Sequence, residues 1–301
     1  MAIIDDLKTR YSQGSMLMRF IYINIAVFVV LHVLTLVFLL LGIDTQWPLR
    51  MVEVPTAWQQ LLRRPWTLLT YMFAHYELLH ILFNMLWLYW LGRIFLEFFM
   101  PRQLGGLYVL GGLGGAAFFV LAYNLLPHFA GQPGLLLGAS ASVIAIVVAA
   151  AVYAPHYKIG LLFIGDISLK WVAIITVGID LLSFDTGNAG GHIAHLGGAF
   201  TGALWALNIK RGHDITNPIN AVIDMVVGTV RHLARHKGKD AAGAPAAQDV
   251  SSQRPSASQK PKGSTAYEER LDQILAKIKQ SGYTALTDDE KDFLFNASRK
   301  R

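Results

Sequence analysis

Apolar residues come in six long runs over the first two thirds of the chain. Phe20 to Ile43, Leu78 to Phe99 and Leu104 to Leu126 are each long enough to cross a bilayer, which takes about 20 mainly apolar residues. Ser140 to Tyr153, Ser168 to Phe184 and His192 to Leu207 follow. The fourth and sixth runs are short, which predicts helices that begin below the membrane surface, with their N-termini inside protein. The pattern predicts an all-α, polytopic membrane protein: a bundle of six transmembrane helices over residues 19–210.

The pattern changes beyond the sixth run. Asn217-Pro218 is a helix-opening pair, and Ile219, Val222, Ile223, Val226, Val230 and Leu233 then recur at helical spacing. Residues 216–237 therefore read as an amphipathic helix lying on the membrane surface. Residues 238–265, rich in Ala, Ser, Gln, Pro, Gly and Lys, read as a flexible linker. Residues 266–301 read as a short C-terminal helical module, with Gly282 ending one helix and Thr287-Asp288-Asp289-Glu290 capping the next. Residues 1–18 form a short N-terminal segment.

Composition sharpens the membrane reading. The chain is 53% hydrophobic and only 15% charged, against roughly 25% charged in a soluble domain. The charges concentrate from Lys210 onward. With no cysteine there is no disulfide or thiolate chemistry. The net charge of +6 lies largely in the flanks and tail, where basic residues face anionic lipid. No basic, aromatic-interleaved patch marks a nucleic-acid interface, so the expected partners are the bilayer and membrane proteins.

Lys8, Arg10 and Arg19 precede the first run, Arg93, Arg102 and Lys158 lie on the same side, and Lys210 and Arg211 follow the last. By the positive-inside rule both termini are cytoplasmic, and the expected location is a bacterial inner membrane. The 44–66 loop, with Arg50, Arg63, Arg64 and the tryptophans Trp47, Trp58 and Trp66, falls outside and reads as a partly embedded amphipathic loop. No cleavable signal peptide is expected.

Three polar clusters interrupt the apolar runs, where buried polar groups either serve function or are satisfied within the bundle. In Gly138-Ala139-Ser140-Ala141-Ser142, a serine opens a helix whose first N–H groups have no partner within the helix. It reads either as a nucleophile beside donors suited to an oxyanion or as a simple N-cap. In the run from Gly190 to Gly202, His195, Gly198 and Gly202 share a helical face. The glycines allow a close helix approach that would carry His195 to a serine on a neighbour. The alternatives are a packed core histidine or a His192/His195 metal pair, for which no third ligand is evident. His80 and Asn84, four apart, project from one face of the second run, as oxyanion donors or as an interhelical clamp. Asp180 reads as a hydrogen-bonding group within the bundle or a cap for the 183–191 loop, with a Ser-His-Asp triad as the other option.

Gly-x-Ser at the fourth run, Ala-His-x-x-Gly-x-x-x-Gly from Ala194 to Gly202 and His-x-x-x-Asn from His80 to Asn84 resemble the motifs of the rhomboid family of intramembrane serine proteases. The resemblance spans about residues 15–210. It implies a six-helix fold, a Ser140–His195 dyad without cofactor or metal, and an oxyanion hole of the Ser140 N–H, His80 and Asn84. Gly138, Gly198 and Gly202 would serve substrate gating or helix packing. The substrates implied are membrane-anchored proteins whose transmembrane segments carry helix-destabilising residues. The alternative within the resemblance is a catalytically silent protein that binds membrane clients. Three positions depart from the family pattern: Ala141 stands where glycine is usual, Ile144 where an aromatic often stacks on the histidine, and Thr67 follows Trp66 in place of arginine. Ala141 is expected to place a methyl group near the oxyanion hole.

Overall fold

The computed structural model describes residues 15–129, 131–161, 165–183 and 188–240, together with Ile274 and Thr287. The C-terminal module, almost all of the linker and most of the N-terminal segment lie outside the described residues.

Helices occupy all six predicted places: α1 (Met16–Leu40), α2 (Leu78–Phe98), α3 (Pro101–Leu125), α4 (Ser140–Tyr153), α5 (Leu169–Leu182) and α6 (Ala189–Ile209). A further helix, α7 (Asn217–Asp240), falls where a helix over 216–237 was predicted and runs on to residue 240, into the stretch read as linker. Local chemistry explains several ends. Ser15 Oγ accepts the Met18 N–H at the start of α1. Asn188 Oδ1 accepts the Gly191 N–H at the start of α6. Pro101 at the first position of α3 needs no N–H there.

By length and composition α1, α2 and α3 qualify as membrane spans among the described residues, and α4 is a shorter apolar helix. The outer surface supports a lipid environment. Val29, Val30, Val33, Leu36, Leu39 and Leu40 on α1 and Trp171, Ile174, Ile175 and Ile179 on α5 are exposed. An apolar exterior of that extent has a hydrocarbon solvent as its natural partner.

The central helix is α4. Every residue from Ala141 to Ala151 is buried, as expected of a helix that is apolar on all faces. α3 and α6 press on it through small residues. A Cβ at Gly198 would collide with the Ala141 carbonyl oxygen, and one at Gly202 with that of Ala145. On α3, a Cβ at Gly111 would collide with the Ala145 methyl. α5 is peripheral, burying only Leu169, Ala173 and Asp180.

Two short antiparallel pairs were not foreseen from the apolar pattern. Val54–Pro55 (β1) pairs with Leu135–Leu136 (β2), so the 44–66 loop is tied to the segment just before Ser140. Lys158–Leu161 (β3) pairs with Gly165–Ser168 (β4) between α4 and α5. Strands of two to four residues carry too little alternation to register as a period-2 signal. In the 44–66 loop, Trp47, Trp58 and Trp66 are about half exposed. The following turn, Tyr71–Phe73, dips inward: the Tyr71 hydroxyl donates to Gly112 O at 2.6 Å and the Tyr108 hydroxyl to Met72 O at 2.7 Å.

At the opposite end, Asp214 ties three elements together. Its carboxylate accepts from Trp205 Nε1 on α6 at 3.0 Å, from Gln103 Nε2 on α3 at 3.1 Å and from Thr216 N at 2.9 Å. Burial pushes this carboxyl up, but hydrogen bonds from Thr216, Trp205 and Gln103 outweigh it and hold the group below its usual range.

Two predictions follow from this packing. Gly202→Ala should destabilise the bundle by about 1–3 kcal/mol, the usual cost of overpacking. The check is a lower melting temperature in detergent, and an unchanged one would contradict the close approach. A lowered carboxyl contributes stability above its unfolded value and loses it as pH falls through the folded one. Asp214→Asn should therefore melt below wild type at neutral pH, with the gap closing below about pH 4. A gap that persists under acid would contradict the assignment.

Candidate active site

Ser140 is the first residue of α4. The turn before it is held from three sides. Gly138 adopts φ 121°, and its N–H donates to Tyr71 O at 3.0 Å. The Ala139 N–H donates to His75 Nε2 at 3.3 Å. The β1–β2 pair anchors the chain just upstream. A Cβ on Gly138 would lie 2.8 Å from His80 Cε1, so the His80 ring rests on this glycine beside the serine.

α6 brings its histidines to the same end of the bundle. His195 Nε2 lies 2.6 Å from Ser140 Oγ. On its other side, His195 Nδ1 lies 2.7 Å from Asp180 Oδ1, near the end of α5. His192 Nδ1 lies 2.8 Å from that same oxygen. The His195 and His192 side chains are 19% and 14% exposed and that of Asp180 9%, so the cluster is largely shielded.

Asp180 supplies a third potential ligand beside His192 and His195, which the sequence did not show: the ligand atoms of the three lie within 4.8 Å of one another. The Nδ1 atoms of His192 and His195 lie 2.8 and 2.7 Å from Asp180 Oδ1, separations typical of N–H···O hydrogen bonds. The contact between Ser140 and His195 sets a hydroxyl beside a potential base, since a neutral imidazole Nε2 can accept a hydroxyl proton.

His80 stands beside the serine across Gly138, and Asn84 lies one turn further along α2. Asn84 is buried and spends one amide N–H on His80 O, 2.9 Å away in its own helix. Its second N–H, the His80 ring and the first N–H groups of α4 are further groups able to donate hydrogen bonds. The structure thus gathers Ser140, His195, His80 and Gly138, with Asn84 one turn behind His80. Gly198 and Gly202 act in helix packing, one and two turns deeper along α6.

Ala141 departs from its expectation. Its methyl faces Gly115 of α3, where an added Cβ would meet it at 2.5 Å, and its carbonyl faces Gly198. The extra methyl is therefore absorbed by helix packing.

Two features escaped the reading of the sequence. One is His75, fully buried beneath the turn that presents Ser140. Nothing in its spacing distinguished it from the other residues of its loop. The other is the double engagement of Asp180. Its signal was available: an acid in an apolar helix, and two histidines three apart on the next one.

The Gly138 geometry yields a paired test. Gly138→Ala meets both an unfavourable φ and the His80 ring, and should cost about 1–3 kcal/mol. Gly131→Ala, at φ 76° with open space around it, should cost only the backbone part. Equal melting temperatures for the two variants would rule out the His80 contact.

Residues 62–211 match the family model of the Rhomboid domain. The chain is also similar to RHOMBOID-like protein 12, mitochondrial, of Arabidopsis thaliana, with 32% identity over 157 residues that cover 48% of this chain and 47% of that protein. It spans about half the length of this curated relative. The matched region runs from α2 through α6 and so carries both Ser140 and His195. On these grounds the chain is a membrane protein that belongs to the rhomboid family.

Proposed function

We propose that this protein is an active intramembrane serine endopeptidase, with Ser140 as nucleophile and His195 as base. The observation that carries this reading is the 2.6 Å separation of Ser140 Oγ and His195 Nε2. A silent client-binding member of the family would have no need to keep that alignment.

In the proposed reaction His195 Nε2 takes the Ser140 proton as Oγ bonds to the scissile carbonyl carbon. The oxyanion is met by the N–H groups at the start of α4, by His80 and by Asn84. The His195 proton passes to the leaving amine as the C–N bond breaks, and water then releases the acyl group from Ser140. A substrate helix satisfies its own backbone, so it must unwind before its carbonyl can reach Ser140. Transmembrane segments with small or helix-breaking residues are therefore the proposed substrates.

The proposed setting is a six-span topology in a bacterial inner membrane, with both termini cytoplasmic. Arg19, Arg93, Arg102, Lys158, Lys210 and Arg211 support that orientation. α4, α6 and α2 begin, and α5 ends, at the end of the bundle that would face outward.

The test is cleavage of a model transmembrane substrate by the purified full chain. Wild type should cleave. Ser140→Ala and His195→Ala should each fall by at least about 10³-fold. Absence of cleavage by wild type, or undiminished cleavage by Ser140→Ala, would leave the silent client-binding reading in its place.

A further inference from the structure

We infer that Asp180 is the positioning residue of a Ser140–His195–Asp180 relay, with His192 as a second donor that holds the same carboxylate. The inference rests on the proposed serine chemistry for its kinetic consequences, but its structural core stands on hydrogen-bond geometry alone.

An ionised carboxylate can only accept hydrogen bonds. The 2.7 Å contact between Asp180 Oδ1 and His195 Nδ1 therefore assigns the ring proton to Nδ1. A neutral imidazole has one N–H, so Nε2 is left bare, and Nε2 is the atom that faces Ser140 Oγ at 2.6 Å. Asp180 thus selects the tautomer able to take the serine proton. When Nε2 gains that proton the ring becomes a cation, and the Asp180 carboxylate already lies against it.

His192 strengthens the arrangement. Its Nδ1–H donates to the same Oδ1 at 2.8 Å, with the two rings nearly perpendicular. Two donors from one face of α6 converge on a single oxygen of α5. That contact also has a mechanical side. α5 buries only Leu169, Ala173 and Asp180, and Asp180 is the buried residue near its outer end. A sparsely packed helix is therefore fastened to the catalytic base by the group that orients it.

The experiment uses the full chain in detergent with nitrogen-15-labelled histidine. In wild type, His195 should show a protonated Nδ1 and a bare Nε2. In Asp180→Ala it should move toward the Nε2–H form that predominates for free imidazole. In kinetics, Asp180→Ala and Asp180→Asn should lower kcat on the order of 10²–10⁴-fold, with KM within about two-fold. His192→Phe, which spares the Asp180–His195 bond, should lower it by no more than about ten-fold. A His195 that carries its proton on Nε2 in wild type overturns the inference, whatever the activity. So does an Asp180→Ala variant whose tautomer and kcat match wild type and whose only defect is in melting temperature or KM. If wild type cleaves nothing yet its His195 tautomer depends on Asp180, the proposed function fails and the positioning role stands.

Discussion

The missing side chains at Gly198 and Gly202 let α6 lie against the backbone of α4, and the rest of the site depends on that approach. A methyl group at either position would collide with a carbonyl oxygen of α4, at Ala141 or Ala145. Once the helices are in contact over these residues, their relative depth and rotation are set. His195 stands one turn above Gly198 on the same face, and Ser140 immediately precedes Ala141. The hydrogen bond between them follows from the packing. In a bilayer no hydrophobic force drives helices together, so close van der Waals fit of this kind carries the association.

The polar groups are then arranged around that contact in a way an apolar surrounding enforces. An unsatisfied polar group is costly there. His75 takes up the Ala139 N–H, Tyr71 and Tyr108 take up backbone carbonyls, and Asp180 takes up both histidines of α6. The Ser140 turn is consequently held by its neighbours on every side. At the opposite end of the bundle, Asp214 performs a similar service for α3, α6 and the start of α7. The helices are thus tied by polar contacts at both ends and by glycine contacts in the middle.

The helices were legible in the sequence because apolar runs in a membrane protein are long and their ends are chemically marked. Ser140 and His195 were legible because each is a polar residue two positions from a glycine in an otherwise apolar run, and because His195 shares one helix face with Gly198 and Gly202. The β1–β2 pair was not legible: it joins residues about 80 positions apart in loops, and nothing local in Val54–Pro55 or Leu135–Leu136 announces a partner. The direction of the Ala141 methyl was not legible either, since it depends on how α3 is rotated against α4. Asp180 lay between these cases. Its place in an apolar helix marked it as a hydrogen-bonding residue, but only the fold places both histidines on one of its oxygens.

The proposed reaction requires Ser140 to be a nucleophile activated by His195. It is tested most directly by treating the intact protein with a serine-directed fluorophosphonate and locating the adduct by peptide mass spectrometry. The expected result is a single adduct on Ser140 that is lost in His195→Ala. No adduct in wild type, an adduct on another serine, or one on Ser140 that forms equally fast without His195, would contradict it.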